Sequence, residues 1–141
     1  MNEKKTLVLN MYQSLSTGDM NKAAALLAGE LEWRFHGPPG REHMMRILTG
    51  VENQKFRFRP RREAELGKWV VVEGWELSGE EEDYWVHAWV VEGGVITQFR
   101  EYFNTSVTVR VLGGPATGDL GEMTLWKSRA GRPLPGLVLP V

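Results

Sequence analysis

The stretch Tyr84-Trp85-Val86-His87-Ala88-Trp89-Val90-Val91, the turn residues Glu92-Gly93-Gly94, and Val95-Ile96-Thr97-Gln98-Phe99-Arg100-Glu101-Tyr102-Phe103 decide the fold. Both flanks are rich in β-branched and aromatic residues. The glycine pair between them supplies the backbone freedom that a tight reversal needs, so the stretch reads as a long β-hairpin. Side chains alternate along a strand. Trp85, His87, Trp89 and Val91 therefore share one face of the first strand, and Phe99, Glu101 and Phe103 share one face of the second. A three-residue turn brings the two sets to the same side of the sheet, which we read as its concave side. His87 and Glu101 then lie within a register step of each other.

Upstream, the period changes from two to about 3.6. Val8, Met11, Tyr12 and Leu15 form one apolar stripe and predict a helix over residues 3–17. Gly18 is a candidate C-cap and Asp19 a candidate N-cap for a second helix, from Met20 to Leu27, stopped by Gly29. Leu31 to His36 alternates as a strand and ends at Gly37-Pro38-Pro39-Gly40; residues 41–48 suit a third short helix. Phe56 and Phe58 alternate with Arg57 and Arg59 until Pro60 interrupts the run. Trp69 to Leu77 is a strand, and Glu80 to Asp83 a polar turn. Residues 113–121 are loop-like, Met123 to Trp126 suits a last short strand, and the proline-rich tail from Gly131 to Val141 is expected to dock in an extended form.

Helices first and strands afterwards give an α+β order. The expected architecture is a cone, a curved antiparallel sheet wrapped over three N-terminal helices with a pocket inside. One domain over residues 1–141 is expected, with 113–141 as a loop plus docked tail. The chain has 141 residues, of which 42% are hydrophobic, enough to bury a core without staples. The 17 Lys and Arg against 18 Asp and Glu give a formal charge of −1, which argues against a basic nucleic-acid binder. Lys55 to Arg62 interleaves basic and aromatic residues, a pattern that can bind single strands, but alternation accounts for it more simply: phenylalanines inward, arginines towards solvent or a partner subunit. The chain has no Cys, which removes disulfides, a thiol nucleophile and a cysteine metal site. His36, His43 and His87 have no metal-ligand spacing, so no metal or cofactor is expected. The charged start and the short run Leu7-Val8-Leu9 do not make a signal peptide, and no stretch approaches the roughly 20 apolar residues of a membrane span. A cytoplasmic protein is the expectation.

Several segments together carry a resemblance: Trp33 to Pro39, His43 to Gly50, Trp85 to Trp89, Gly94 to Thr105 and Pro135 to Leu139. They resemble the plant wound-induced and senescence-associated proteins, in the SnoaL-like, nuclear-transport-factor-2-like superfamily. The resemblance covers nearly the whole chain and implies the cone fold, shared with polyketide cyclases, ketosteroid isomerases and limonene-epoxide hydrolases. It implies no fixed reaction, since fold does not determine function. Pairing of two copies through the outer face of the sheet is common among such folds, so a homodimer is expected.

Within this frame the candidate catalytic residues are Glu101, His87 and Glu76. Glu101 beside His87 offers an acid–base pair in an aromatic pocket; the plainer reading is a polar contact satisfied among aromatics. Val72 to Glu76 resembles the epoxide-hydrolase strand that carries an Arg and an Asp two apart. Glu76 falls at the Asp position and Glu101 where the second catalytic Asp stands, but Gly74 occupies the Arg position. Without that cation two buried carboxylates repel, so one stays protonated. Phe35 falls where ketosteroid isomerases carry their catalytic Asp, so that base is missing. Candidate ligand-binding residues are Trp33, Phe35, His36, Trp85, Trp89, Phe99, Phe103 and the hydroxyl of Tyr12. The expected function is a wound- or stress-responsive protein whose pocket binds a small apolar metabolite, and, as an enzyme, a cofactor-free isomerase, cyclase or hydrolase. The alternative is a non-catalytic defence or senescence protein acting through protein partners. Neither nucleic acid nor membrane is an expected partner.

Overall fold

The computed structural model describes residues 3–36, 58–78, 81–103, 105–111, 123–129 and 137–140. Helix α1 spans Glu3–Thr17 and buries Val8, Met11, Tyr12 and Leu15, the stripe read from the sequence. Gly18 ends it at φ +78°, with its N–H on Leu15 O and that of Asp19 on Ser14 O. This paired closure needs a left-handed residue, which glycine adopts without a Cβ clash. The Asp19 side chain then accepts from Lys22 N and starts α2, Met20–Ala25. Helix α2 is shorter than the pattern indicated. Leu26 is its C-cap, and Ile96 N–H donates to Leu26 O at 2.8 Å, which draws the chain into the sheet. Leu27 thus opens strand β1, Leu27–His36, and Gly29 lies inside that strand. The third expected helix, residues 41–48, lies outside the described residues, which contain two helices.

The remaining strands are β2 (Phe58–Leu66), β3 (Trp69–Ser78), β4 (Glu81–Glu92), β5 (Val95–Phe103), β6 (Val107–Val111), β7 (Met123–Lys127) and β8 (Leu137–Pro140). The first five form one sheet in the order β1-β5-β4-β3-β2, and the last three a second sheet in the order β7-β6-β8. The larger sheet is mixed: β1 runs parallel to β5, whereas β2 to β5 are antiparallel. Pro60 does not stop β2. It stands opposite Gly74 beside a register shift, on the sheet's edge, where a missing N–H is tolerated. The acidic run is not a free turn either, because the β3–β4 ladder continues to Ser78↔Glu81 and takes Glu81, Glu82 and Asp83 into the strand.

Strand β4 is buried on both faces from Tyr84 to Val91. On one face Trp85, Trp89, Phe99, Phe103, Val70 and Val72 pack against Val8, Met11, Tyr12 and Leu15 of α1 and Ala23 of α2. On the other, Trp69, Val71, Tyr84, Val86, Ala88, Val90 and Tyr102 pack with Val107, Val109, Trp126 and Leu139 of the second sheet. This second core explains why β4 reads as a nearly continuous apolar run.

A polar latch joins the two sheets. The Glu73 carboxylate, 1% exposed, pairs with Arg62 Nε at 2.9 Å and accepts from Tyr84 Oη at 2.7 Å and Arg129 N at 3.0 Å. Arg62 also donates to Lys127 O, and its guanidinium lies 4.4 Å from the centre of the Trp126 ring. Among the described residues no helix is long and apolar enough to cross a membrane.

Candidate functional site

Two local features of the hairpin set which side chains face α1. The turn is tighter than expected: Glu92 pairs with Val95, leaving Gly93 and Gly94 as a two-residue loop at φ +60° and +82°. A two-residue turn alone would put His87 opposite Arg100. A register shift corrects this, because Val91 pairs with Ile96 but Val90 with Gln98, leaving Thr97 as an extra residue in β5. Beyond that bulge His87 stands opposite Glu101, Trp89 opposite Phe99 and Trp85 opposite Phe103. One inserted residue flips every later side chain to the other face. Thr97 therefore decides that a carboxylate, rather than a guanidinium, joins the inner face.

Four of the expected residues converge. Trp89 Nε1 donates to Tyr12 Oη at 2.9 Å, Tyr12 Oη lies 2.8 Å from His87 Nδ1, and His87 Nε2 faces Glu101 Oε2 at 3.4 Å. The direction of this chain follows from the donors. An indole N–H can only donate, so the Tyr12 oxygen accepts it; a neutral imidazole with its hydrogen on Nε2, facing the Glu101 carboxylate, leaves Nδ1 to accept the Tyr12 hydrogen. Burial pushes the Tyr12 hydroxyl well above the ordinary tyrosine value; the Trp89 bond pulls the other way, and the Glu101 and Glu63 carboxylates add to the rise. Tyr12 thus keeps its proton. With Nδ1 as acceptor, the ring carries its hydrogen on Nε2, towards the carboxylate. His87 and Glu101 are 1% and 0% exposed.

Aromatic rings enclose the pair. Phe99 and Trp85 lie 5.2 and 5.9 Å from the His87 ring, Trp89 stacks on Phe99 at 4.1 Å, and Phe103 meets Trp85 edge-on at 4.7 Å. From β1, Trp33 and Phe35 join the same side, stacked at 6.3 Å and in register with Phe99 and Glu101. The Tyr12 hydroxyl is engaged within the network.

One expected residue, His36, falls elsewhere, and the backbone alone places Glu76. His36 stacks on Tyr102 at 4.7 Å, and Tyr102 belongs to the outer core, so His36 does not reach the inner face. Alternation along β1 is the reason, since Trp33 and Phe35 take the inner positions. Burial lowers the His36 pKa, and Arg100 and Arg34 lower it further. Glu76 lies four residues along β3 from Val72, the residue level with His87 and Glu101. That is roughly 13 Å of strand. The side chain of Glu76 lies outside the described residues. Sequence reasoning missed Glu73, three residues earlier; the signal was Arg62, which faces it once Gly67 closes the β2–β3 hairpin at φ +61°. No group of three or more His, Asp or Glu among the described residues is placed to hold a metal ion.

A curved sheet with helices on its inner face and polar groups in an aromatic interior defines the nuclear-transport-factor-2-like class. Among solved structures, an NTF2-like protein of Cytophaga hutchinsonii superposes with a TM-score of 0.57 at 26% identity, covering 70% of this chain and 88% of that one. The family model described as wound-induced protein WI12 matches residues 45–141, and the chain belongs to that family. It is 38% identical over 112 residues to senescence associated gene 20 of Arabidopsis thaliana, covering 69% of this chain and all of that one. It is 42% identical over 108 residues to wound-induced protein 1 of Solanum tuberosum, covering 67% and 98%.

Proposed function

We propose that the chain is a wound- or stress-responsive cytoplasmic protein that holds a small apolar metabolite against the inner face of its larger sheet. His87 and Glu101 form the polar end of that site. The observation that carries the reading is a carboxylate and an imidazole 3.4 Å apart, both buried, on a face otherwise built of Trp and Phe. Ligand sites are commonly of this kind, mostly aromatic with few convergent polar groups. Where the ligand is converted, Glu101 is the group that moves a proton. His87, held in one tautomer by Tyr12, delivers or stabilises it.

Titration of tryptophan fluorescence with a panel of apolar ligands tests binding. Saturable quenching in the wild type is expected; a chain whose rings only fill their own core shows none. For chemistry, Glu101→Gln and His87→Ala are expected to abolish turnover while far-UV circular dichroism stays unchanged. Turnover that survives both substitutions places the reaction elsewhere.

A further inference from the structure

We propose that the indole N–H of Trp33 is a ligand-binding donor, and that the site therefore takes a neutral apolar molecule bearing an acceptor oxygen, most simply a ketone carbonyl. The inference rests on the pocket reading above and adds the chemical class of the ligand. Trp33 Nε1 is buried from solvent, yet no group among the described residues accepts its hydrogen. Indole N–H is a donor only and finds an acceptor in most buried settings, so a buried orphan calls for an explanation. Trp89 shows the alternative within the same face, since its N–H is taken by Tyr12. Trp126 Nε1 is also without a hydrogen-bond partner among the described residues, but it lies in the outer core under the Arg62 guanidinium, away from the inner face.

Position makes the Trp33 donor useful. It stands in register with Phe99, and Phe35, two residues on, with Glu101. Two residues of strand are roughly 6.6 Å. A ring-sized molecule spans from a donor at Trp33 to the carboxylate at Glu101. Charge selects against ions. The inner positions of β1, β4 and β5 described above carry no Lys or Arg, and Glu101 repels an anion there. The Arg34 and Arg100 positions pair with each other in register, one residue out of phase with Trp33 and Phe99.

The test pairs ketones with their parent hydrocarbons: cyclohexanone with cyclohexane, and 1-tetralone with tetralin. Binding is followed by calorimetry and by the indole ¹⁵N–¹H resonance of Trp33 in the full chain. We expect the ketones to bind more tightly than the hydrocarbons and to move the Trp33 resonance, while the hydrocarbons do not move it. In Trp33→Phe, ketone affinity is expected to fall about tenfold more than hydrocarbon affinity, so that the preference for ketones is lost. Ketones and hydrocarbons that bind alike, with Trp33→Phe weakening both or neither, overturn the donor role and leave the pocket reading standing. If no probe binds the folded wild type, both are overturned.

Discussion

Tyr12 shows how much of the candidate site depends on one atom. Its hydroxyl oxygen takes the Trp89 hydrogen and its own hydrogen fixes the His87 ring, so both neighbours lose a partner in Tyr12→Phe. Buried groups left in this state cost about 1–3 kcal/mol. We expect Tyr12→Phe to lose that much stability in urea unfolding; an unchanged midpoint would mean the chain of bonds is not formed. His36 makes a pH-dependent prediction. Its folded pKa lies below the ordinary value, so between the two the unfolded chain binds the proton that the folded chain refuses. Stability is therefore full above about pH 6.5 and falls as pH drops below it. Asn at position 36 is expected to flatten that part of the wild-type curve, measured as the pH dependence of the difference between the two proteins. Among single residues, His87 and Glu101 were legible because alternation along each strand, with an odd number of residues between the strands, puts them on one face, a phase that the Thr97 bulge preserves. Glu73 was not, because its burial depends on a cation from a different strand.

The β4–β5 hairpin was legible as an element, but the devices that set its register were not. The sequence pointed to a three-residue turn, which pairs Val91 with Val95 and His87 with Phe99; the structure has a two-residue turn and the Thr97 bulge, which pair His87 with Glu101, two residues further along β5. A shift of two keeps each side chain on its face, so the same residues share the inner side although the turn and the register differ. Deletion of Thr97 is expected to rotate β5 by one position from Gln98 onward and offer Arg100 to the inner core. Loss of cooperative unfolding is the expected result, and a stable variant with native tryptophan fluorescence would contradict the register assignment. Pro60 and strand β6 mark where local reading fails. A proline that looks like a stop is accommodated at an edge, and Val107 to Val111 gains its strand from β7 and β8. The Arg62–Glu73 latch also belongs to this scale. Arg62→Ala leaves a buried carboxylate without its cation. Because Arg62 is 26% exposed, the loss should fall below the roughly 3–5 kcal/mol of a fully buried pair, at about 2–3 kcal/mol by urea unfolding.

At the scale of the whole molecule, the larger sheet divides two interiors of different character. The outer one is closed by the chain's own second sheet and tied by Glu73 and Arg62. The inner one contains the His87–Glu101 pair, the Tyr12 relay and the unpaired donor of Trp33. The helices-then-strands order and the alternation made this inner side legible. Of the second sheet, β7 was legible as a short strand and β8 as part of an extended tail, but β6 and the pairing of the three were hidden, because the strands are short and separated by segments whose composition reads as loop. The decisive question is whether a molecule binds between Trp33 and Glu101. Its most direct measurement is a crystal structure of the chain soaked in extract from wounded plant tissue. We expect ligand density on the inner face, within hydrogen-bond reach of Glu101; an inner face filled only by the protein's own side chains, with ligand absent or bound elsewhere, would contradict it.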